Sequence, residues 1–113
     1  MQDCLFCKII KGEIPSTKVY EDEFVLAFKD IAPQAPFHAV IIPKQHIASA
    51  AEFDETNFDI AAKIFKAVAI IAKQEKLEKG FRVVTNCGEE GGQTVGHLHF
   101  HMLAGRCLAW PPG

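Results

Sequence analysis

Residues 97–103 alternate histidine with apolar side chains, in the order His-Leu-His-Phe-His-Met-Leu. Successive side chains of a β-strand point to opposite faces of its sheet. The pattern therefore predicts a strand with one apolar face in a core and one face made of imidazoles. The three histidines of that face are His97, His99 and His101. They are three of the five histidines in the chain, so chance placement of exposed polar residues is a poor explanation.

The rest of the chain supplies partners for this strand. Apolar runs bounded by turn residues predict further strands. The predicted strands are residues 17–21, 24–29, 38–42, 81–86 and 96–103. Residues 38–42 are almost entirely apolar and end at Pro43, which predicts a central strand covered on both faces. We expect a largely antiparallel sheet of about five strands.

A long helix is predicted over residues 55–79, with Asp54 as its N-cap and Gly80 just after its C-terminus. A second, short helix is predicted within residues 4–11. Together with the sheet they predict a single α+β domain spanning residues 1–113. The apolar residues of the long helix form two stripes, so more than one side should be buried. One stripe contains Phe58, Ala61, Ala62, Phe65, Val68, Ala69 and Ala72; the other contains Ile60, Ile64, Ala67 and Ile71.

One of these stripes should cover the sheet. The other is predicted to contact a second subunit, and the alternative is that the N-terminal segment packs on it.

Charge excludes one class of partner. The 113 residues have a net charge of −2, with both signs interspersed. No basic stripe is present for a nucleic-acid backbone, so a polymer partner is not expected. A free nucleotide remains compatible, because a single phosphate needs only a local pocket.

The first residues lack a basic region followed by a long apolar run, and the apolar runs elsewhere are too short for a bilayer. We therefore expect a cytoplasmic protein without membrane contact. Its four cysteines are then expected to be thiols or metal ligands rather than disulfides.

Two chemistries compete for the histidine face. His97 and His101 lie roughly 13 Å apart along a strand, too far to share one ion at bonds of about 2 Å. A metal would thus take two of the histidines and further ligands from elsewhere. Alternatively, neutral imidazole is a good nucleophile toward phosphorus, with neighbours that fix its tautomer and contact the phosphate.

The histidine segment resembles the motif of the histidine triad (HIT) family, His-φ-His-φ-His-φ-φ, where φ is apolar. Other segments are similar to the Hint branch, the histidine triad nucleotide-binding proteins, so the resemblance covers nearly the whole chain. These segments are residues 28–36, 42–47, 91–94 and the terminal Trp110-Pro111-Pro112-Gly113. The related nucleotidyl transferases carry Gln at the position of His101, which favours the hydrolase branches.

The resemblance implies hydrolysis of purine nucleoside phosphoramidates and aminoacyl-adenylate-like compounds, without a catalytic cofactor. His99 would attack the α-phosphorus to form a nucleotidyl-histidine, and water would release the nucleoside monophosphate, typically AMP. His101 would contact the phosphate or the departing group. His97 and His38 would lie behind His99 and orient it.

The same resemblance implies a nucleotide-binding set and a homodimer. Asp30 and Ile31 would contact ribose and base, although the residues alone also allow Asp30 to cap a turn. The glycine-rich loop before His97 would approach the phosphate. The full set is Asp30, Ile31, Asn86, Gly92, Gln93, Thr94, His99, His101 and, from the partner subunit, Trp110.

Cys4 and Cys7 are spaced so that both sulfurs can face one ion from a helical turn. Some bacterial-type members of the family hold a structural zinc with such a pair and two histidines, which match His46 and His97 here. A redox pair and plain buried thiols are the alternatives. Cys87 and Cys107 are interpreted as packing residues.

Three other functions compete with the phosphoramidate hydrolase. A dinucleoside polyphosphate hydrolase of the neighbouring branch is disfavoured by the short chain and its Trp-Pro-Pro-Gly tail. A nucleotide-binding regulatory protein with minor catalysis is disfavoured by the intact triad. A metallohydrolase that uses the triad as ligands is disfavoured by the strand spacing.

Overall fold

Five antiparallel strands form one sheet in the computed structural model, which describes residues 3–113. The strands are β1 (Lys18–Glu21), β2 (Val25–Lys29), β3 (Phe37–Pro43), β4 (Arg82–Thr85) and β5 (Phe100–Ala104). Their spatial order is β1-β2-β3-β5-β4. Helices α1 (Leu5–Ile10) and α2 (Phe58–Gln74) and a 3₁₀ turn (Ala50–Glu52) complete the described chain. The predicted α+β class with one long and one short helix is confirmed.

β3 lies at the centre of the sheet and is buried on both faces, as predicted. Ala39 and Ile41 point into an apolar layer beneath α2. Val40 and Ile42 point the other way, into a smaller layer with Phe6 of α1. The period of two thus places one helix on each side of the sheet.

The isoleucine stripe of α2 covers the sheet: Ile60, Ile64 and Ile71 are all buried in the larger layer. Of the other stripe only Val68 is buried, while Phe58 and Phe65 are 57% and 51% exposed. The alternative that the N-terminal segment packs on this stripe is wrong, because α1 lies on the opposite face of the sheet. A second subunit there, and a sheet extended across a dimer, stay predictions.

The bounds of α2 differ from the predicted 55–79. The Asp54 carboxylate accepts hydrogen bonds from the Thr56 N–H at 2.8 Å and hydroxyl at 2.6 Å, and so caps a separate turn that precedes α2 instead of the helix itself. The helix begins at Phe58 instead of the predicted residue 55, with Asn57 as its N-cap.

Helix α2 also ends earlier than predicted, at Gln74 instead of residue 79. Lys76 adopts a left-handed φ of 56°, and the Leu77 N–H donates to the carbonyl of Ala72 at 2.9 Å. This is a Schellman motif, in which the apolar residue after the left-handed one packs back on the helix. Leu77 packs against the core, and this contact ends the helix. The helix ends there although Glu78 and Lys79, which follow, are good helix formers.

The final strand begins at Phe100 rather than at residue 96. The paired part of β4 ends opposite Phe100, and the Leu98 N–H donates to the carbonyl of Ile47 instead of to a strand. The alternation persists through this unpaired segment. Leu98, Phe100 and Met102 enter the core as predicted.

The other predicted strands are confirmed within two residues. The single domain over residues 1–113 stays a prediction, and Met1 and Gln2 lie outside the described residues. Among residues 3–113, no helix combines the length and apolar character needed to cross a membrane.

The left-handed Lys76 gives a stability prediction. Lys76→Gly should raise the free energy of unfolding by about 0.5–1 kcal/mol, because glycine adopts positive φ without Cβ strain. Urea denaturation followed by circular dichroism measures it.

Lys73→Gly is the matched control, since the same substitution inside α2 should cost about 1 kcal/mol. Equal destabilisation by both variants would contradict the C-terminus assigned to α2.

Candidate active site and metal cluster

His99 makes one ring hydrogen bond, whose direction decides which ring nitrogen keeps an electron pair. Its side chain is nearly fully buried, and its Nδ1 lies 2.8 Å from the carbonyl oxygen of His97. A carbonyl oxygen only accepts, so Nδ1 carries the proton and donates. In the neutral ring the other nitrogen, Nε2, therefore keeps an unshared electron pair. This is the form in which imidazole is a nucleophile.

His38 and His101 form a second hydrogen-bonded unit with a fixed direction. The backbone N–H of Gln34 donates to His38 Nδ1 at 3.1 Å, so the proton of that ring is on Nε2. His38 Nε2 then donates to His101 Nδ1 at 2.9 Å. His101 must consequently carry its own proton on Nε2. The two rings His99 and His101, whose centroids are 5.2 Å apart, thus offer an electron pair and a hydrogen-bond donor.

Asp30 lies beside this pair. Its Oδ1 accepts from the Ala32 N–H at 2.8 Å, which is the turn cap that the sequence allowed. Its Oδ2 lies 3.4 Å from His38 Nε2 and 3.9 Å from His101 Nδ1. One carboxylate therefore both closes the loop and adds negative charge near the two imidazoles.

Burial keeps the rings of His38 and His101 uncharged. Desolvation lowers the pKa of His38 below its ordinary value, and the nearby Asp30 carboxylate only partly opposes it. Desolvation also lowers the pKa of His101, helped by His99 and His38 and opposed by Asp30. Both rings are then neutral near pH 7, as their hydrogen-bond directions require.

His99 and His101 open onto a cleft of about 700 Å³, a volume suited to a small-molecule ligand. Much of its wall is apolar and comes from α1, the following loop and the two central strands. The apolar lining residues are Leu5, Phe6, Ile9, Ile14, Pro15, Phe28, Ile31, Val40 and Val95; the others are Ser16, Thr17, Lys29, Asp30, Thr94, His99 and His101.

The glycine-rich loop brings Thr94 to the cleft but uses the Gln93 side chain internally. Gln93 Nε2 donates to the carbonyls of Ala48 and Val95, at 2.7 and 2.9 Å. Its Oε1 accepts from the Gly88 N–H at 3.0 Å. Gln93, like Asn86 and Gly92, lies outside the residues that line the cleft. Contact of these three residues with a nucleotide stays a prediction.

Trp110 lies outside the cleft of its own chain and is 82% exposed. The Arg82 guanidinium donates to the carbonyls of Leu108 and Ala109, at 3.2 and 2.9 Å, and so holds the tail beside β4. The contribution of Trp110 to a partner's site stays a prediction.

Two contributors were missed by sequence reasoning. The Phe6 ring packs edge-on against the rings of His99 and His97, with centroid distances of 5.1 and 5.9 Å. The i, i+4 spacing of Leu5 and Ile9 could have indicated that α1 presents an apolar side to the cleft. Gln34 acts through its backbone N–H, which no residue pattern reveals.

Cys4, Cys7, His46 and His97 bring four ligand atoms within 4.8 Å of one another. Cys4 Sγ lies 3.3 Å from His97 Nδ1, and Cys7 Sγ lies 3.3 Å from His46 Nδ1 and 3.6 Å from His97 Nδ1. Tetrahedral zinc with ordinary bond lengths separates sulfur and nitrogen ligands by about 3.5 Å. The donor set and spacing therefore fit zinc.

The other nitrogen of His97 supports the same conclusion. Nε2 lies 2.9 Å from the carbonyl oxygen of Pro43 and must donate to it, which leaves Nδ1 unprotonated toward the two sulfurs. Burial also lowers the pKa of His97 and favours the neutral ring that binds metal.

A second group, Asp30, His38 and His101, is equally compact. It is a poor metal site, because the Gln34 N–H keeps the proton of His38 on the nitrogen that would have to bind the ion. The hydrogen bonds thus separate a cluster that fits a metal ion from a group that orders protons.

Comparison with known proteins fits this geometry. A family model described as "Scavenger mRNA decapping enzyme C-term binding" matches residues 3–108. A HIT family hydrolase from Legionella pneumophila superposes with a TM-score of 0.95 at 49% identity, over 98% of this chain and 100% of that one.

Two plant proteins are also similar. A 14 kDa zinc-binding protein of Zea mays is 52% identical over 96% of this chain and 87% of its own. The adenylylsulfatase HINT1 of Arabidopsis thaliana is 46% identical over 96% of this chain and 76% of its own. The chain belongs to the HIT family, and it is related over its whole fold to hydrolases of that family.

The lowered pKa values of His38 and His101 predict acid sensitivity. The unfolded chain binds protons at these sites near pH 6.5 while the folded chain does not, so stability is full above pH 6.5 and falls as the pH drops below it. His101→Asn should flatten this decline, and unfolding by urea at pH 7.5, 6.5, 6.0 and 5.5 measures it.

Both proteins are compared in the same zinc-saturated buffer, so that any loss of metal contributes to each. Identical pH slopes would contradict a folded-state shift at His101.

Proposed function

We propose that the chain is a Hint-branch hydrolase that cleaves purine nucleoside phosphoramidates and aminoacyl-adenylate-like compounds, releasing a nucleoside monophosphate such as AMP. The observation that carries the proposal is the pair of ring nitrogens at the cleft. His99 Nε2 has a free electron pair, and His101 Nε2 has a proton to donate. Nucleophilic attack on a phosphoryl group needs both.

In the first step, the electron pair of His99 Nε2 attacks the α-phosphorus and the bond to the leaving group breaks, which is a P–N bond in a phosphoramidate and a P–O bond in an aminoacyl adenylate. The product is a nucleotidyl-histidine. The bond electrons leave with the amine of a phosphoramidate, which takes up a proton, or with the carboxylate of an aminoacyl adenylate. His101 Nε2–H and the Thr94 hydroxyl are the donors available along this wall of the cleft. The carbonyl of His97 accepts from His99 Nδ1–H and so stabilises the positive charge that develops on the ring.

In the second step, water attacks the same phosphorus and the P–N bond to His99 breaks. The ring recovers its electron pair on Nε2, a proton of the water returns to the donor that protonated the amine, and the nucleoside monophosphate is released with one added oxygen. The sum of the two steps is substrate plus water giving nucleotide plus amine for a phosphoramidate, and nucleotide plus carboxylic acid for an aminoacyl adenylate. No metal takes part in either step.

Charge at the cleft favours substrates with a single phosphate at the reacting centre. The acidic and basic residues among the described lining residues are Lys29 and Asp30, so the cleft has one cation and one carboxylate. A dinucleoside polyphosphate would bring several negative charges without matching cations. The plant relative named adenylylsulfatase supports the same class, since an adenylyl sulfate has one phosphate bearing a leaving group.

The nucleoside would use the remaining walls. Asp30 accepts from ribose hydroxyls, and the fully exposed Ile31 covers the base together with the apolar side chains of α1. Such walls suit a flat purine ring. The ordered tautomers of His99 and His101 have no evident use in a purely regulatory nucleotide-binding protein, which favours catalysis over that alternative.

We also propose that Cys4, Cys7, His46 and His97 hold a structural zinc, without a catalytic role. We propose a homodimer as well, joined through the exposed stripe of Phe58 and Phe65 and through the edge strand β4.

His99→Ala should release AMP from an adenosine phosphoramidate more slowly than wild type by on the order of 10³-fold or more, because the attacking nitrogen is removed. AMP release is followed chromatographically. Rapid quenching and intact-mass measurement should find the adenylylated chain only where His99 is present.

His101→Ala is the comparison variant, since it retains the nucleophile. It should react slowly but still form the adduct. AMP release by His99→Ala close to the wild-type rate would refute the nucleophile.

Protein purified without chelator should contain about one zinc per chain, measured by elemental mass spectrometry. Cys7→Ser should lower the zinc content strongly because it removes one of four ligands. Cys107→Ser, at an exposed cysteine outside the cluster, should leave it unchanged. Zinc far below one equivalent in wild type would contradict the metal site.

A further inference from the structure

Helix α1 contributes residues to the proposed zinc site and to the cleft. Cys4 is its N-cap and Cys7 lies in its first turn, and both sulfurs face the histidines of the metal cluster. Leu5, Phe6 and Ile9 of the same helix form part of the wall of the cleft. Any change in the position of α1 must therefore affect the two sites together.

Two sets of contacts hold this helix: Phe6, Ile9 and Ile10 pack against the smaller apolar layer, and Cys4 and Cys7 belong to the thiol–histidine cluster. It has six residues, too few to be stable alone, so its position depends on tertiary contacts. Phe6 is its buried residue, while Leu5 is 42% exposed. The sulfur of Cys4 accepts from the Cys7 N–H and so also caps the helix. The thiol–histidine cluster is thus one of two anchors of this wall of the cleft, and it fixes the N-terminal end of the helix.

Phe6 extends the connection to the catalytic ring. Its ring packs against His97, a member of the metal cluster, and against His99, the proposed nucleophile. It also lines the cleft. A displaced α1 would loosen the wall that faces the base and the packing around His99.

We propose that the thiol–histidine cluster and the nucleotide cleft are thermodynamically coupled through α1. Zinc bound by Cys4, Cys7, His46 and His97 holds α1 in the position that completes the cleft, so zinc tightens nucleotide binding and nucleotide tightens zinc binding. This inference rests on the proposed nucleotide site and zinc site. It adds that the two sites are not independent.

Linkage requires the two effects to be equal. If zinc tightens the binding of AMP by some factor, AMP tightens the binding of zinc by the same factor. Couplings between sites in proteins are typically about 5- to 150-fold, and we expect roughly 10-fold here. Because α1 forms an apolar wall, adenosine without phosphate should show the effect, whereas inorganic phosphate should not.

The test compares zinc-loaded and chelator-stripped protein. Titration calorimetry gives the AMP, adenosine and phosphate affinities of each form, and competition with a coloured chelator gives the zinc affinity with and without AMP. Hydrogen exchange serves as the folding control. Removal of zinc should speed exchange in α1 while the amides of β3 and β5 stay protected.

Cys7→Ser separates coupling from nucleotide binding itself. This variant should bind AMP about 10-fold more weakly and be indifferent to added zinc, whereas Cys107→Ser should behave as wild type. AMP affinity that is equal in the loaded and stripped proteins would overturn the coupling and leave the proposed function standing. Absence of AMP binding in both forms would overturn the nucleotide site and the coupling with it.

Discussion

The hydrogen bond from His99 Nδ1 to the carbonyl oxygen of His97 is the contact on which the site depends. It decides which nitrogen of a buried imidazole is protonated, and therefore which one can attack. A peptide carbonyl cannot donate, so it enforces this choice without a charged partner. The same hydrogen bond strengthens as positive charge develops on the ring during attack, which is when stabilisation speeds a reaction.

His97 is itself held from two sides, by the Pro43 carbonyl and by the thiols of Cys4 and Cys7. Its ring thus ties the end of β3 to α1, while its backbone oxygen fixes the next histidine. On β3, His38 is also oriented by a backbone group. The Gln34 N–H donates to its Nδ1, so its Nε2 carries the proton and donates it to His101. Backbone groups therefore set the protonation of His97, His99 and His38, and His38 passes that order on to His101. This explains why a site rich in titratable groups needs few charges to work.

Much of the fold and of the histidine face was predictable from the sequence. The alternation of side chains along a strand directly determines which of them enter the core. The strict period of residues 97–103 predicted which side chains enter the core, and the apolar residues 39–42 predicted a central strand. The bounds of α2 were wrong, because the Asp54 turn and the burial of Leu77 depend on local hydrogen bonds and packing that periodicity does not contain. The role of Gln34 was invisible, since any residue but proline offers the same N–H.

The central claim is the tautomer of His99. Nitrogen-15 NMR of the histidine side chains in the free protein at pH 7.5 measures it directly, with His99→Gln used to assign the signals. The account predicts a neutral His99 ring protonated at Nδ1 with a bare Nε2, and a neutral His101 ring protonated at Nε2. A neutral His99 ring protonated at Nε2 would contradict it, because no electron pair would then be available for phosphorus.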